Sequence, residues 1–154
     1  MKLVDHLYFL DTGEKVHLSS LLGPRGMVLF FYPRANTPWC TEEVKEYTKR
    51  LNEFEELEFT VVGISDDTSE DQNEFACDFS LDFPLIADTE KDLVHKLDVW
   101  GKVNWPDGSI TDGVRRCTFI LNTDLEPVFD FQNVHPTHHI DDVLKTIKEN
   151  PTKF

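Results

Sequence analysis

Six consecutive apolar or aromatic residues, Met27 to Tyr32, end on Pro33 and give way within a few positions to a charge-rich stretch. In that stretch Val44, Tyr47, Leu51, Phe54 and Leu57 recur at spacings of three and four, the pattern of one helical face. A run apolar on both faces, then a segment apolar on one, reads as a strand inside a sheet, a short loop and a helix packed back on that sheet. Thr37-Pro38-Trp39-Cys40 lies at the joint and places Cys40 in the first turn of the helix. The free amides and the dipole there carry partial positive charge. That setting favours a thiolate, so Cys40 is a candidate nucleophile.

The remaining strands follow from composition and punctuation. Leu7 to Leu10 and Val16 to Leu18, separated by Asp11-Thr12-Gly13, predict an N-terminal hairpin. Thr60 to Ile64 is a β-branched run suited to a second buried strand. Two such strands joined by a long helix imply a right-handed parallel crossover. Ser69 followed by Gln72 is a capping-box signature for the next helix, with Phe75 and Phe79 inward. Phe83 to Asp88 reads as a short extended piece, and Glu90 to Leu97 as a second helical stretch. Val99 to Val114, rich in glycine, proline and aspartate, reads as a loop or irregular hairpin. Arg116 to Leu121 and Pro127 to Phe131 flank a tight polar turn and are expected to be antiparallel. A last helix is expected with Thr137 as N-cap, Ile140, Val143, Leu144 and Ile147 inward, and Pro151 as its stop. The order β-α-β-α-β-β-α behind a hairpin is a layered α/β pattern, expected as one domain over residues 1–154.

Charge narrows the partners. Twenty-nine acidic against fifteen basic side chains leave a net charge of −14. No basic stripe neutralises phosphates or meets anionic lipid. No apolar run approaches the ~20 residues of a membrane span, and Met1 to Leu10, with Asp5 and His6, is not expected to be a signal peptide. Three cysteines without a Cys-x-x-Cys spacing suit a reducing compartment, so a cytoplasmic protein is expected.

Pro33-x-x-x-Thr37-x-x-Cys40 at a helix start, with Arg116 in a late strand, resembles the active-site set of peroxiredoxins, and the element order resembles the thioredoxin fold. Phe31-Tyr32-Pro33, Thr37 to Glu43, Gly63-Ile64-Ser65-Asp66, Phe83 to Asp88, Val99-Trp100-Gly101 and Arg116 to Ile120 are similar to the bacterioferritin comigratory protein (PrxQ-like) branch of the alkyl hydroperoxide reductase / thiol-specific antioxidant family. The resemblance implies a thioredoxin fold with an N-terminal hairpin extension and a central mixed sheet flanked by helices. It implies a thiol peroxidase without cofactor or metal, acting on hydrogen peroxide and small organic hydroperoxides. Cys40 would be the peroxidatic nucleophile, Thr37 would orient the peroxide, and Arg116 would hold its oxygens and lower the Cys40 pKa. Pro33 would cover the sulfur from water, and Glu43 would orient Arg116. Thioredoxin or a similar dithiol would be the reductant, and the protein would be a monomer or homodimer.

Departures from the pattern matter. Many members of the branch carry a resolving cysteine five residues after the peroxidatic one, where this chain has Lys45. Some place it in the later helix, which makes Cys77 the candidate; the other reading is a spectator thiol in a one-cysteine enzyme. Cys77 lies two residues from both Phe75 and Phe79 and so points away from their face. A disulfide requires Cα atoms within ~7 Å, so local unwinding belongs to the resolving hypothesis. Cys117 faces opposite to Arg116 and is expected to pack in the core. Trp39 stands where the branch has a small residue, and either narrows the pocket mouth or packs at the loop edge. The tryptophans and phenylalanines together are expected to be core. His135, His138 and His139 are read as surface or capping residues, not metal ligands. Two rivals stay open: an idle thioredoxin-fold redox-sensing or binding module, and a thiol-disulfide oxidoreductase, which Glu43 in place of a second cysteine disfavours.

Overall fold

In the computed structural model, which describes residues 1–154, β1 (Leu7–Phe9), β2 (Lys15–His17) and a 3₁₀ turn (Leu18–Leu21) lead into β3 (Gly26–Phe31). Then come α1 (Pro38–Glu56), β4 (Phe59–Ser65), α2 (Ser69–Asp78), β5 (Leu85–Ala87) and α3 (Asp92–Lys96). A hairpin of β6 (Trp100–Asn104) and β7 (Ile110–Val114) precedes β8 (Thr118–Leu121), β9 (Pro127–Phe131) and α4 (His139–Glu149). Five strands form the central sheet in the order β5-β4-β3-β8-β9. β3, β4 and β5 run parallel, while β8 and β9 join antiparallel. This is the mixed sheet between helices expected of a thioredoxin fold with a hairpin in front.

The two-residue period of the strands divides the core. On β3, Met27, Leu29 and Phe31 enter one cluster with the N-terminal hairpin, α3, Cys117 and Phe119. Val28, Phe30 and Tyr32 enter the other, with Cys40, Val44, Tyr47 and Phe54 of α1 and Ile140, Val143, Leu144 and Ile147 of α4. Each fully buried side chain of this kind contributes about 1.5–3 kcal/mol, so both layers are held by the central strand. Gly26 is where β3 begins: a Cβ there would lie 2.0 Å from the Leu121 carbonyl oxygen, at φ +149°, a position only glycine fills. At the other flank of the sheet, Leu10 pairs with Ile86 of β5, and the Asp11 amide donates to the Leu85 carbonyl. The hairpin thereby covers the β5 edge.

Four local expectations change. The α2 cap is Thr68, whose hydroxyl accepts from the Asp71 amide; Ser69 is already helical, and Gln72 turns inward instead of reaching back. It accepts from the Tyr32 hydroxyl and donates to Ser65 Oγ at 2.9 Å and the Ile86 carbonyl at 3.0 Å. Of the two readings of residues 99–114, the hairpin holds and the loop does not, and the hairpin is regular, since β6 and β7 pair in register from Trp100–Val114 to Asn104–Ile110. α4 starts at His139 and not after Thr137, and its cap position His138 makes no side-chain cap bond. The His135 ring instead accepts from the Thr137 and His138 amides, both at 3.2 Å. The second helical stretch shortens to Asp92–Lys96, with Leu93 and Val94 buried.

Candidate active site

α1 begins at Pro38, a residue that fits a first helical turn because its missing amide would have no helical partner, and Thr37 is the extended residue before it. The loop feeding the helix is anchored by Asp67 after β4, whose Oδ2 accepts from the Ala35 amide at 2.8 Å and from Ser65 Oγ at 2.6 Å. Thr37 Oγ1 donates to the Arg34 carbonyl at 2.7 Å. Cys40, Glu43 and Tyr47 stand at spacings of three and four on the sheet-facing side of α1, and all three are buried.

Arg116 arrives by strand parity. Residues 116, 118 and 120 share one face of the β8 segment, and Thr118 and Ile120 are buried there. Arg116 Nη2 donates to Cys40 Sγ at 3.4 Å, and Nη1 donates to Glu43 Oε1 at 2.6 Å. Cys117 points to the opposite layer, is fully buried, and lies 3.3 Å from Gln132 Oε1; burial pushes its thiol up. Pro33 is buried at the start of the loop. The structure therefore brings Pro33, Thr37, Cys40, Glu43 and Arg116 into one place and leaves Cys77 outside it. Cys77 is exposed on α2, with its sulfur 3.7 Å from Asn73 Oδ1.

The expected depression of the Cys40 pKa does not hold in this enclosed geometry. Burial is the largest influence and pushes the thiol up; the Arg116 guanidinium, the Thr37 hydroxyl and the Arg34 backbone pull it back without overcoming burial. Glu43 follows the same logic. Burial raises its carboxyl to about 7, against the pull of Arg116.

Two expectations about the surroundings of the site change. His139, expected at the surface or in a cap, is buried. Its Nδ1 lies 2.6 Å from the His135 carbonyl oxygen, and its Nε2 lies 2.8 Å from the Tyr47 hydroxyl and 3.1 Å from Thr118 Oγ1. The signal was present: His139 precedes Val143 by four, on the same inward face as Ile140, Leu144 and Ile147. Trp100 and Trp105 are the other correction, whereas Trp39 takes the pocket-mouth place of its two readings. Trp39 and Trp100 are 40% and 39% exposed. A cavity of about 690 Å³ is lined by Pro33, Thr37, Pro38, Trp100, Trp105 and Val114 among others. A second concavity, of about 430 Å³, is bordered by Pro33, Trp39, Arg115 and Arg116. Both are walled by the β6–β7 hairpin, so these indoles form the rim and not the core. No group of three or more His, Cys, Asp or Glu side chains gathers as a metal site, and no helix is long and apolar enough to cross a membrane.

A cysteine sulfur at the start of a thioredoxin-fold helix, faced by a guanidinium from a distant strand, defines a thiol redox protein. The AhpC/TSA family model matches residues 5–126, and the chain belongs to that family. It is 32% identical to the Bacillus subtilis protein named Peroxiredoxin Bcp over 143 residues, covering 93% of this chain and 90% of that one. The crystal structure of Peroxidoxin BcpB from Mycobacterium tuberculosis superposes with a TM-score of 0.84 at 31% identity, covering 97% of this chain and 95% of that one. A Xanthomonas campestris Bacterioferritin Comigratory Protein, whose structures concern alkyl peroxide reduction, matches with a TM-score of 0.83 at 28% identity, covering 95% and 92%.

Proposed function

We propose that this chain is a thiol-dependent peroxidase that reduces hydrogen peroxide and small organic hydroperoxides at Cys40. The observation that carries this reading is the double engagement of Arg116, one nitrogen on the Cys40 sulfur and the other on Glu43. A guanidinium fork fixed in that way holds two oxygens of a peroxide in line with the sulfur. Cys40, as thiolate, attacks one peroxide oxygen. The S–O bond forms as the O–O bond breaks, Cys40 becomes a sulfenic acid, and the departing oxygen takes a proton to leave as water or an alcohol. Arg116 and the first-turn amides of α1 stabilise the charge on that leaving oxygen. Thr37 keeps lone pairs free to accept from the peroxide, and Pro33 keeps water from the sulfur. The 690 Å³ cavity beside Thr37 has room for the organic substituent of an alkyl hydroperoxide.

Cys77 is the resolving thiol in this reading. It attacks the Cys40 sulfenic sulfur, releases water and leaves a disulfide, which thioredoxin or a similar dithiol reopens. Because Cys40 is buried and Cys77 exposed, the step requires unwinding of at least one helix end. Three cysteines without a Cys-x-x-Cys spacing support a cytoplasmic setting. The test is single-turnover peroxide consumption by the reduced protein and by Cys40→Ser. One equivalent consumed by the first and none by the second is expected; equal consumption removes Cys40 as the nucleophile.

A further inference from the structure

Among the buried side-chain nitrogens and oxygens, Glu43 Oε2 is the one without a hydrogen-bond partner. Its companion oxygen Oε1 is taken by Arg116, while Oε2 faces His139 Nε2 at 3.7 Å. The tautomer of that imidazole is set by its other nitrogen. Nδ1 lies 2.6 Å from the His135 carbonyl oxygen, which can only accept, so Nδ1 carries the hydrogen. Nε2 of the neutral ring is then an acceptor, its one lone pair facing the hydroxyls of Tyr47 at 2.8 Å and Thr118 at 3.1 Å. An ionised Oε2 would meet a lone pair across 3.7 Å and no donor, in a fully buried position. A protonated Oε2 would leave no anion facing that lone pair.

Charge gives the same answer. The groups facing Glu43 are Cys40 and Tyr47 from α1, Arg116 from the β8 segment with Cys117 behind it, and His139 from α4 with His135 and Asp142 beyond. β3 contributes Phe30, stacked on Tyr47, and no charge. Arg116 is the one permanent cation of this set. With Cys40 as thiolate and Glu43 ionised, a buried site would hold two anions against it, and an uncompensated buried charge is strongly disfavoured. One anion per guanidinium is what the enclosure accommodates.

We propose that Glu43 is a neutral acid while Cys40 is a thiolate, its proton held on Oε2 toward His139 Nε2, and that His139 is a positioning residue acting through Glu43 on Arg116. The catalytic consequence rests on the peroxidase reading above. Arg116 gives its charge to the sulfur, while Glu43 Oε1, still an acceptor, fixes the guanidinium plane. The raised Glu43 pKa and the lowered His139 pKa, about 7 and about 4, agree with that placement.

The test is infrared spectroscopy of the reduced protein titrated with acid and base, without peroxide. A carbonyl stretch of a buried carboxylic acid is expected near neutral pH, sensitive to exchange into heavy water and lost in Glu43→Gln. His139→Phe keeps a ring and removes Nε2. It also frees the Tyr47 and Thr118 hydroxyls to donate to a carboxylate, so the band's titration midpoint should fall by about one pH unit or more. Nitrogen NMR of His139 in the parent, which needs no variant, should report an Nδ1–H tautomer with an accepting Nε2. Absence of the acid band at neutral pH, an imidazolium at His139, or a midpoint unmoved by His139→Phe overturns the proposal. None of these readouts depends on peroxide, so failure of the peroxidase reading shows up only in the single-turnover assay.

Discussion

β3–α1 and β4–α2 are successive copies of one unit, a parallel strand leading into a helix that carries a cysteine, and they use that cysteine in opposite ways. Cys40 sits in the first turn of a long helix, on its sheet-facing side, fully buried and bonded to Arg116. Cys77 sits in the last turn of a ten-residue helix, on its outer side, with only Asn73 beside it. α1 buries Cys40, Glu43, Val44, Tyr47 and Phe54, whereas α2 buries Gln72 and Phe75. The position of a thiol along and around its helix thus decides whether it is enclosed among hydrogen-bond partners or left at the surface. The shorter helix, with fewer buried anchors, is the cheaper one to open.

The largest expected effect falls on the two sulfurs themselves. Cys40→Ser should abolish peroxide reduction, whereas Cys77→Ser should keep one equivalent of rapid oxidation and lose thioredoxin-supported turnover. Stopped-flow traces followed by steady-state assays separate these, and undiminished turnover in Cys77→Ser would remove Cys77 from the cycle. Arg116→Lys keeps a charge near Cys40 but loses the fork, so the first oxidation should slow by about 10²-fold, near the cost of one lost transition-state donor. A smaller contrast sets the buried Cys117 against Cys77. Cys117→Ser should cost about 1–3 kcal/mol in urea unfolding, since a hydroxyl replaces an apolar group in the core, while Cys77→Ser should stay within about 0.5 kcal/mol of the parent.

The smallest effect is a slope. Burial raises the folded Glu43 carboxyl from 4.5 to about 7, so the folded state binds this proton more tightly than the unfolded chain does. Its stabilising contribution is complete below pH 4.5 and is lost as pH rises through 7. Glu43→Gln lacks that loss, and its stability relative to the parent should climb, by an amount on the order of 1 kcal/mol, between pH 5 and pH 8. A flat difference across that interval would mean that Glu43 titrates normally.

The order of strands and helices was legible because the buried elements carry strong periods: the run before Pro33, the β-branched stretch at 60–64 and the α1 stripe. That residues of α1 and of the segment before β8 would meet was legible through the spacing of proline, threonine, cysteine and arginine. What stayed hidden depends on tertiary packing. A polar residue on an inward helical face, such as His139, reads as a cap or a surface group until the sheet supplies Thr118 and α1 supplies Tyr47 as partners. The segment 99–114 carries turn residues compatible with a loop or an irregular hairpin, and only cross-strand pairing shows it to be a regular ribbon. The side on which a cap forms also turned on one residue: Thr68 and Ser69 are both competent, and Gln72 is drawn into the core by Tyr32, Ser65 and Ile86.

The indole rim has a practical corollary. Trp39, Trp100 and Trp105, all the tryptophans of the chain, border the two hollows on either side of Pro33. Tryptophan emission, excited to the red of tyrosine absorption, therefore originates at the mouth of the site, with Trp39 covalently next to Cys40. Its colour and brightness are expected to follow any change of charge or packing at that sulfur, undiluted by indoles elsewhere in the molecule.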